Sequence, residues 1–513
     1  MKKGILLAIG LAGLVATAAV LAATGGSARA VASIHPLVTD YTQVSTSTTP
    51  PTETQCFTAN SDSGGRRCFT PASIRSAYNL GSLITGGKDG RGQTIAIIDS
   101  FGSDTMAHDL HVFDQAFGVQ AMCGEEGVTC APGMPTFSEL SLQGSPPTTP
   151  QGGSGTGLED HTAWALEVAL DVEWAHSVAP GANILLVHTP TAETLGLQGF
   201  AQMIKAEDYV VKNHLAQVIS QSLASAEDAF GSTQSLLNLR YAFQDAKDNN
   251  VTVLGSSGDG GTANSTKQGL VGKGGGGAGP NTAFSFPTVE WPASDPLVTG
   301  VGGTYLCTNP SAGQNDPRTV DSADPPSTCQ ANPGVAERGW IGAGGGFSHV
   351  FQRPDFQATL PAGSTAISPA GRGVPDVGYQ ASSRTGVLVY LSLPPNDTGG
   401  APCGAATAPP CSTGWYIVGG TSAGSPQWAG LVAIADQLNG GGLGLINPAL
   451  YKIGSNPGRY ASDFFDVTTG NNATLPDFPT DYPATTGWDP VTGLGTPNAA
   501  RLLPDLVSAV HGN

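Results

Sequence analysis

Gly419-Gly420-Thr421-Ser422-Ala423-Gly424-Ser425-Pro426 is the stretch with the most chemistry in it. A strand-like run, Trp415–Val418, enters the glycines, and Pro426 opens an apolar helix through Trp428, Leu431, Val432 and Ile434. Ser425 reads as the N-cap, and Pro426 takes a first-turn position that needs no N–H. Ser422 would then project at a helix N-terminus, where free N–H groups and the dipole favour developing negative charge. A nucleophilic serine wants that place, although a plain glycine turn with a capping serine has the same pattern.

A nucleophile needs a base. Glu167 and Asp171 stand four apart in the apolar segment His161–Trp174, so they share one helix face. Two acids at that spacing repel on an exposed helix. In a buried site they would share a proton and titrate jointly, and the glutamate could serve Ser422 as general base with Asp171 holding it. Most such pairs are solvated helix faces. A third acid, Asp259, follows the strand-like Val251–Leu254 in Gly255-Ser256-Ser257-Gly258-Asp259. An Asp-Gly turn explains it equally well, but a protonated Asp259 could donate to an oxyanion.

Histidine bases fit less well. Gly420-Thr421-Ser422-Ala423-Gly424 matches the G-x-S-x-G elbow of α/β-hydrolases, yet the only histidine downstream is His511, near the C-terminus. Asp99 would suit a subtilisin-type triad, but no His-Gly-Thr-His stretch follows, and His161 and His176 read as surface or capping residues.

The elements that would position these groups alternate. Strand-like runs at Thr94–Ile98, Ile184–Val187, Val218–Ser220, Val251–Leu254, Val298–Val301 and Tyr416–Val418 flank helical patterns at Met106–Phe117, Ala163–Ala175, Leu197–Asn213 and Ser235–Asp248. This predicts a mostly parallel α/β sheet. Asp259–Pro280 and Gly302–Pro333 read as long surface loops, with the first and Gly342–Phe347 bordering a cleft. Regular structure is expected from Thr70-Pro71 onward, a helix opening.

The chain has 513 residues, 39% apolar and 12% charged, with 71 glycines. Lys2, Lys3, the apolar run Ile5–Ala23 and Ala28-Arg29-Ala30 predict a secretory signal cut after Ala30 and no membrane association afterwards. Its removal takes the net charge from −18 to about −21, which argues against nucleic acid as a partner. Eight cysteines fall into local couples, Cys56/Cys68, Cys123/Cys130, Cys307/Cys329 and Cys403/Cys411, and in an exported chain disulfides are expected. Residues 31–55 read as an exposed polar leader.

Together these stretches resemble the sedolisin family of serine-carboxyl peptidases. The resemblance runs from about Thr70 to the C-terminus, through Thr70-Pro71, Ile95–Asp99, Glu167…Asp171, Ala179-Pro180-Gly181-Ala182, Ser256-Ser257-Gly258-Asp259, Val301-Gly302-Gly303-Thr304, Gly420-Thr421-Ser422 and Gly487-Trp488-Asp489. It implies a subtilisin-like sheet with helices on both faces and one catalytic domain over residues 70–513, after a signal (1–30) and a short leader (31–69). It implies Ser422 as nucleophile, Glu167 as base, Asp171 as its support and Asp259 as oxyanion donor, in an endopeptidase acting on proteins or peptides in acid; with the signal segment, a secreted protein is expected, and a monomer.

The resemblance also implies one structural calcium ion, with carboxylates from Asp466 and Asp489 and carbonyls from Val467, Thr485 and Gly487. Thr485 stands where the family usually has glycine. Family members usually carry a long folded prosegment; residues 31–69 are too few and too polar for one, so either activation dispenses with it or Arg66-Arg67 marks a clipping point. Two other functions stay open: an esterase using Ser422 in the G-x-S-x-G elbow, and a secreted binding protein without turnover.

Overall fold

The structure is a computed structural model, and it describes residues 35–36, 41–59, 66–142, 156–190, 197–264, 283–306, 337–367, 370–392, 413–474 and 481–512. The expected export signal, the couples Cys307/Cys329 and Cys403/Cys411, and the side chain of His161 lie outside the described residues. Cys56–Cys68 and Cys123–Cys130 are disulfides.

Order begins well before Thr70, contrary to the sequence expectation. Two short strands, β1 (His35–Pro36) and β2 (Tyr41–Ser45), lead into α1 (Glu53–Ala59) and β3 (Arg67–Phe69). The Cys56–Cys68 bridge and an Arg67–Glu53 ion pair tie α1 to β3. The leader is therefore built into the fold, because Tyr41-Thr42-Gln43-Val44-Ser45 is strand-competent and finds a free sheet edge. Helix α2 (Pro71–Ala77) does open as expected, with Thr70 Oγ1 accepting the Ser73 N–H.

The central sheet contains β4 (Thr94–Ser100), β5 (Phe137–Ser141), β6 (Asn183–Thr189), β7 (Val218–Gln221), β9 (Thr252–Ser256), β11 (Thr299–Tyr305), β12 (Arg338–Gly339) and β13 (Val377–Gln380). Its order is β12-β11-β9-β7-β4-β6-β5, with β13 also on β11, and every pair is parallel except β12 with β11. Outside it lie β8 (Leu223–Ala226) and β10 (Glu290–Trp291).

The helices cover both faces. On β4, Ile95 and Ile97 point into one core with Leu166 and Leu170 of α4 (Thr156–Val178) and Trp428 of α8 (Gly424–Asn439). Ala96 and Ile98 point the other way, onto Phe200 and Met203 of α5 (Leu197–Lys212) and Phe243 of α7 (Tyr241–Asp248). This period-2 division makes β4 apolar throughout, as a strand buried on both faces must be. Helix α3 (Met106–Phe117) packs beside α4, and α9 (Ala499–Val510) covers α8.

Three other expectations are corrected. Tyr416–Val418 belongs to β15 (Gly414–Val418), which pairs antiparallel with β14 (Thr385–Leu391) and with β2 in a separate sheet. A parallel return would need a crossover element, and the Pro/Gly/Ala-rich residues 392–413 have no helical pattern to supply one. Ser235–Asp248 splits into α6 (Thr233–Leu237) and α7, with Arg240 at the break forked onto Asp295 (2.5 and 2.8 Å). Gly302 and Gly303 are strand, not loop: a Cβ on Gly302 would stand 2.5 Å from Pro375, so these glycines serve close packing.

Candidate active site

Ser422 sits where β15 turns into α8. Gly420 has φ +120°, a left-handed conformation suited to glycine, and Thr421–Ala423 form one tight turn before α8 begins at Gly424. Ser422 is fully buried, and its Oγ makes no hydrogen bond to the protein among the described residues. The helix starts earlier than the sequence suggests, with Ala423 at the cap position. Ser425 is no cap: its hydroxyl meets that of Ser220 at 2.9 Å and ties α8 to β7. Pro426 still falls within the first turn, where an N–H has no intrahelical partner to lose.

The acids come from α4, which packs against the Ser422 turn, α8 and β4. Glu167 and Asp171 are both wholly buried. Burial, then the charges of Asp99 and Glu167, push Asp171 well above the usual carboxylate range, while the Ser222 hydroxyl partly offsets them. Asp99, at the end of β4, is itself pushed up to about 8 by burial. Asp99, Asp171 and Glu167 are thus buried carboxyls whose charges act on one another, so they cannot all be ionised together. Asp99 is the member that sequence reasoning set aside as a triad aspartate. Its signal was an acid closing a wholly apolar strand.

Asp259 is held by the residue before the nucleophile. Its Oδ1 accepts from the Thr421 N–H (2.7 Å) and the Thr421 hydroxyl (3.0 Å), fixing the carboxyl beside Ser422. The preceding Gly258 (φ +113°) gives its N–H to Thr421 Oγ1 at 3.1 Å. A Cβ on Gly258 would lie 2.4 Å from Glu290 Oε2. Glu290, unforeseen from sequence, is pushed up to about 8 by burial and by the charge of Asp259. Gly344 donates to the Gly258 carbonyl at 2.7 Å, so the Gly342–Phe347 segment does border this end of the site.

His511 and His176 stand elsewhere. His511 bonds Asn439, the last residue of α8, which places it about 24 Å along that helix from the Ser422 end. His176 is not a surface or capping residue but fully buried, its Nε2 on Asp114 (3.0 Å) and the Gln120 carbonyl (2.7 Å).

No family model matches the chain. Kumamolisin from Bacillus sp. (strain MN-32) is 31% identical over 458 residues, covering 88% of this chain and 66% of that protein. The chain belongs to the sedolisin family. Sedolisin from Pseudomonas sp. (strain 101) is 27% identical over 442 residues, covering 86% of this chain and 61% of its own length. The chain thus spans about two thirds or less of these relatives. A solved Pseudomonas sedolisin, a serine-carboxyl proteinase complexed with two molecules of pseudo-iodotyrostatin, superposes with a TM-score of 0.59 at 24% identity, covering 86% of this chain and 99% of that one. This likeness establishes the subtilisin-like α/β fold.

The sedolisin-type calcium position can be tested on the chain's own groups. Asp466 accepts the Gly487 N–H at 3.1 Å, and Asp489 accepts the Thr485 N–H at 3.1 Å, so both carboxylates converge on one loop. Neither has a basic side chain in ion-pair contact among the described residues. Both Asp489 oxygens already accept from Thr485, Val491 and Thr492, and no group of three or more metal-ligating side chains gathers among the described residues, so the two carboxylates supply only part of a divalent-ion shell that backbone carbonyls would have to complete.

Proposed function

We propose that the chain is an exported serine endopeptidase that hydrolyses peptide bonds in acid. The observation that carries this reading is the packing of α4 against the Ser422 turn, with Glu167 and Asp171 buried and His511 far away. Ser422 Oγ attacks the peptide carbonyl carbon while its proton passes to the Glu167 carboxylate. The oxyanion forms at the α8 N-terminus, where Asp259, as the protonated acid, donates to it. The C–N bond breaks as Glu167 returns the proton to the departing amine. Water then attacks the acyl-Ser422 ester by the same proton route. Asp171, backed by Asp99, positions Glu167 and takes up the shared proton. Because a carboxylate base is ionised where an imidazole is not yet neutral, this machinery suits acid.

Asp259→Ala is expected to lower kcat by about 100- to 1,000-fold with little change in KM, the cost of losing one oxyanion donor. Asp259→Asn should retain much of the activity, since its amide still donates. Steady-state kinetics on a peptide substrate checks both.

Asp466 and Asp489, with the carbonyls of Val467, Thr485 and Gly487, would hold the calcium ion. When bound, it supplies positive charge that offsets two buried carboxylates. A chelator should therefore lower Tm by several degrees, and Asp489→Asn should abolish that calcium-dependent shift, as followed by scanning calorimetry.

The reading is tested by incubating a denatured protein with the purified chain from pH 3 to 8 and mapping the fragments by mass spectrometry. Internal cuts in acid that vanish in Ser422→Ala support it. No cuts at any pH would favour a binding protein.

A further inference from the structure

We infer that Arg66 is a positioning residue for the nucleophile turn, and that residues 41–69 stay in the working protein as part of that support instead of being clipped off at Arg66-Arg67. The inference rests on the peptidase reading for its effect on turnover, but its evidence is pairing and burial. Whether a segment can be cut is decided by the burial and hydrogen bonding of its backbone. Arg66, Arg67 and Cys68 are all buried. The Arg67 N–H donates to the Arg384 carbonyl at 2.8 Å, and Arg67, Cys68 and Phe69 pair with Thr385, Gly386 and Val387 of β14. A cut here would first require β3 to leave its sheet, against the Cys56–Cys68 bridge and the Arg67–Glu53 ion pair.

The same segment braces the hairpin that leads to Ser422. The sheet runs β2-β15-β14-β3, so two strands from residues 41–69 cover both edges of the β14–β15 hairpin. A bare two-stranded hairpin is marginal in water, whereas three or more strands with an apolar face are stable. Arg66 adds a direct link. Its Nη1 donates to the hydroxyl of Ser383, in the turn between β13 and β14. The glycines before the nucleophile rest on that turn. The Gly420 N–H donates to the Ala381 carbonyl at 2.5 Å, and a Cβ on Gly419 would stand 2.2 Å from the Ser383 nitrogen. Ser422 follows two residues after Gly420. A guanidinium makes a stronger hydrogen bond than a neutral donor and is costly to bury unpaired, so Arg66 holds the turn where Gly419 and Gly420 meet it. Placement matters because a shift of about 1 Å at the reacting atoms can cost about 100-fold in rate.

Arg66→Met fills much of the same space without a donor, and Ser383→Ala removes the acceptor. Hydrogen exchange of the full chain, read by mass spectrometry, should show residues 419–423 exchanging at least tenfold faster in both variants, with β4 unchanged. Arg66→Lys keeps a donor and should recover part of the protection. In the two loss variants kcat should fall about 10- to 100-fold with little change in KM. Should Arg66→Met fail to fold, Ser383→Ala decides. Unchanged exchange at residues 419–423, or exchange that rises equally in β4, overturns the positioning role. Neither incubation at about pH 4 nor trypsin under native conditions should cut at Arg66 or Arg67, as read by mass after reduction. A fragment beginning at Arg67 or Cys68 overturns that half of the inference. Exchange and trypsin resistance do not use the chain's own catalysis, so a parent without turnover defeats the peptidase reading and leaves these results to decide the rest.

Discussion

Glu167→Gln should reduce kcat by about 10,000-fold while leaving the fold intact. Glutamine fills the same buried volume, yet it cannot accept the Ser422 proton. Ser422→Ala should cost a similar factor. Because the two residues act as one unit, the double variant should be no worse than either single one. Steady-state kinetics at acid pH, with Tm as a control for folding, reads this directly. A Glu167→Gln protein keeping more than a tenth of parental kcat would remove the carboxylate base from the account. The size of the effect follows from geometry: α4 is buried from Trp164 to Val178, so no solvent base can substitute.

The second large effect is on stability, and its direction is unusual. Asp99 and Glu290 are pushed up to about 8, and Asp109, Glu227 and Glu337 to about 7, in each case chiefly by burial. The unfolded chain releases these protons near pH 4, whereas the folded chain keeps them until about pH 7 or 8. Between those values the folded state binds more protons, so raising the pH favours unfolding. Within its window each such group makes the folded state less stable as the pH rises. The His176–Asp114 pair acts in the same sense: Asp114 raises His176 despite the opposing effect of burial, and its contribution is lost as the ring deprotonates. Tm should therefore be highest near pH 4 or below and fall steadily toward pH 7. A Tm that rises from pH 4 to 7 would show that these acids are ionised in the folded chain.

Much of this was legible in the residues. The apolar run Thr94–Ile98 could only be a strand buried on both faces, and the glycines before Ser422 could only be a sharp turn. Glu167 and Asp171 were suspicious because like charges four apart stabilise nothing on a surface. Other features depended on long-range contacts that no local pattern carries. Glu290 becomes part of the site only because Gly258 leaves room for its carboxyl. His176 looked like a capping residue because its partner Asp114 comes from a different helix. The leader looked exposed because polar strands are defined by the edge they meet, and β15 lies more than 360 residues away in sequence. Ser425 looked like a cap because its true partner, Ser220, stands on β7.

The central claim is that carboxylates, not imidazole, activate Ser422. The pH dependence of kcat/KM for a single peptide substrate tests it most directly, measured from pH 2 to 9 on the parent and on His511→Ala. Activity that is full in acid, declines toward neutrality and is the same in both proteins is the predicted result. Activity that rises through pH 6 to 7 and disappears in His511→Ala would contradict it.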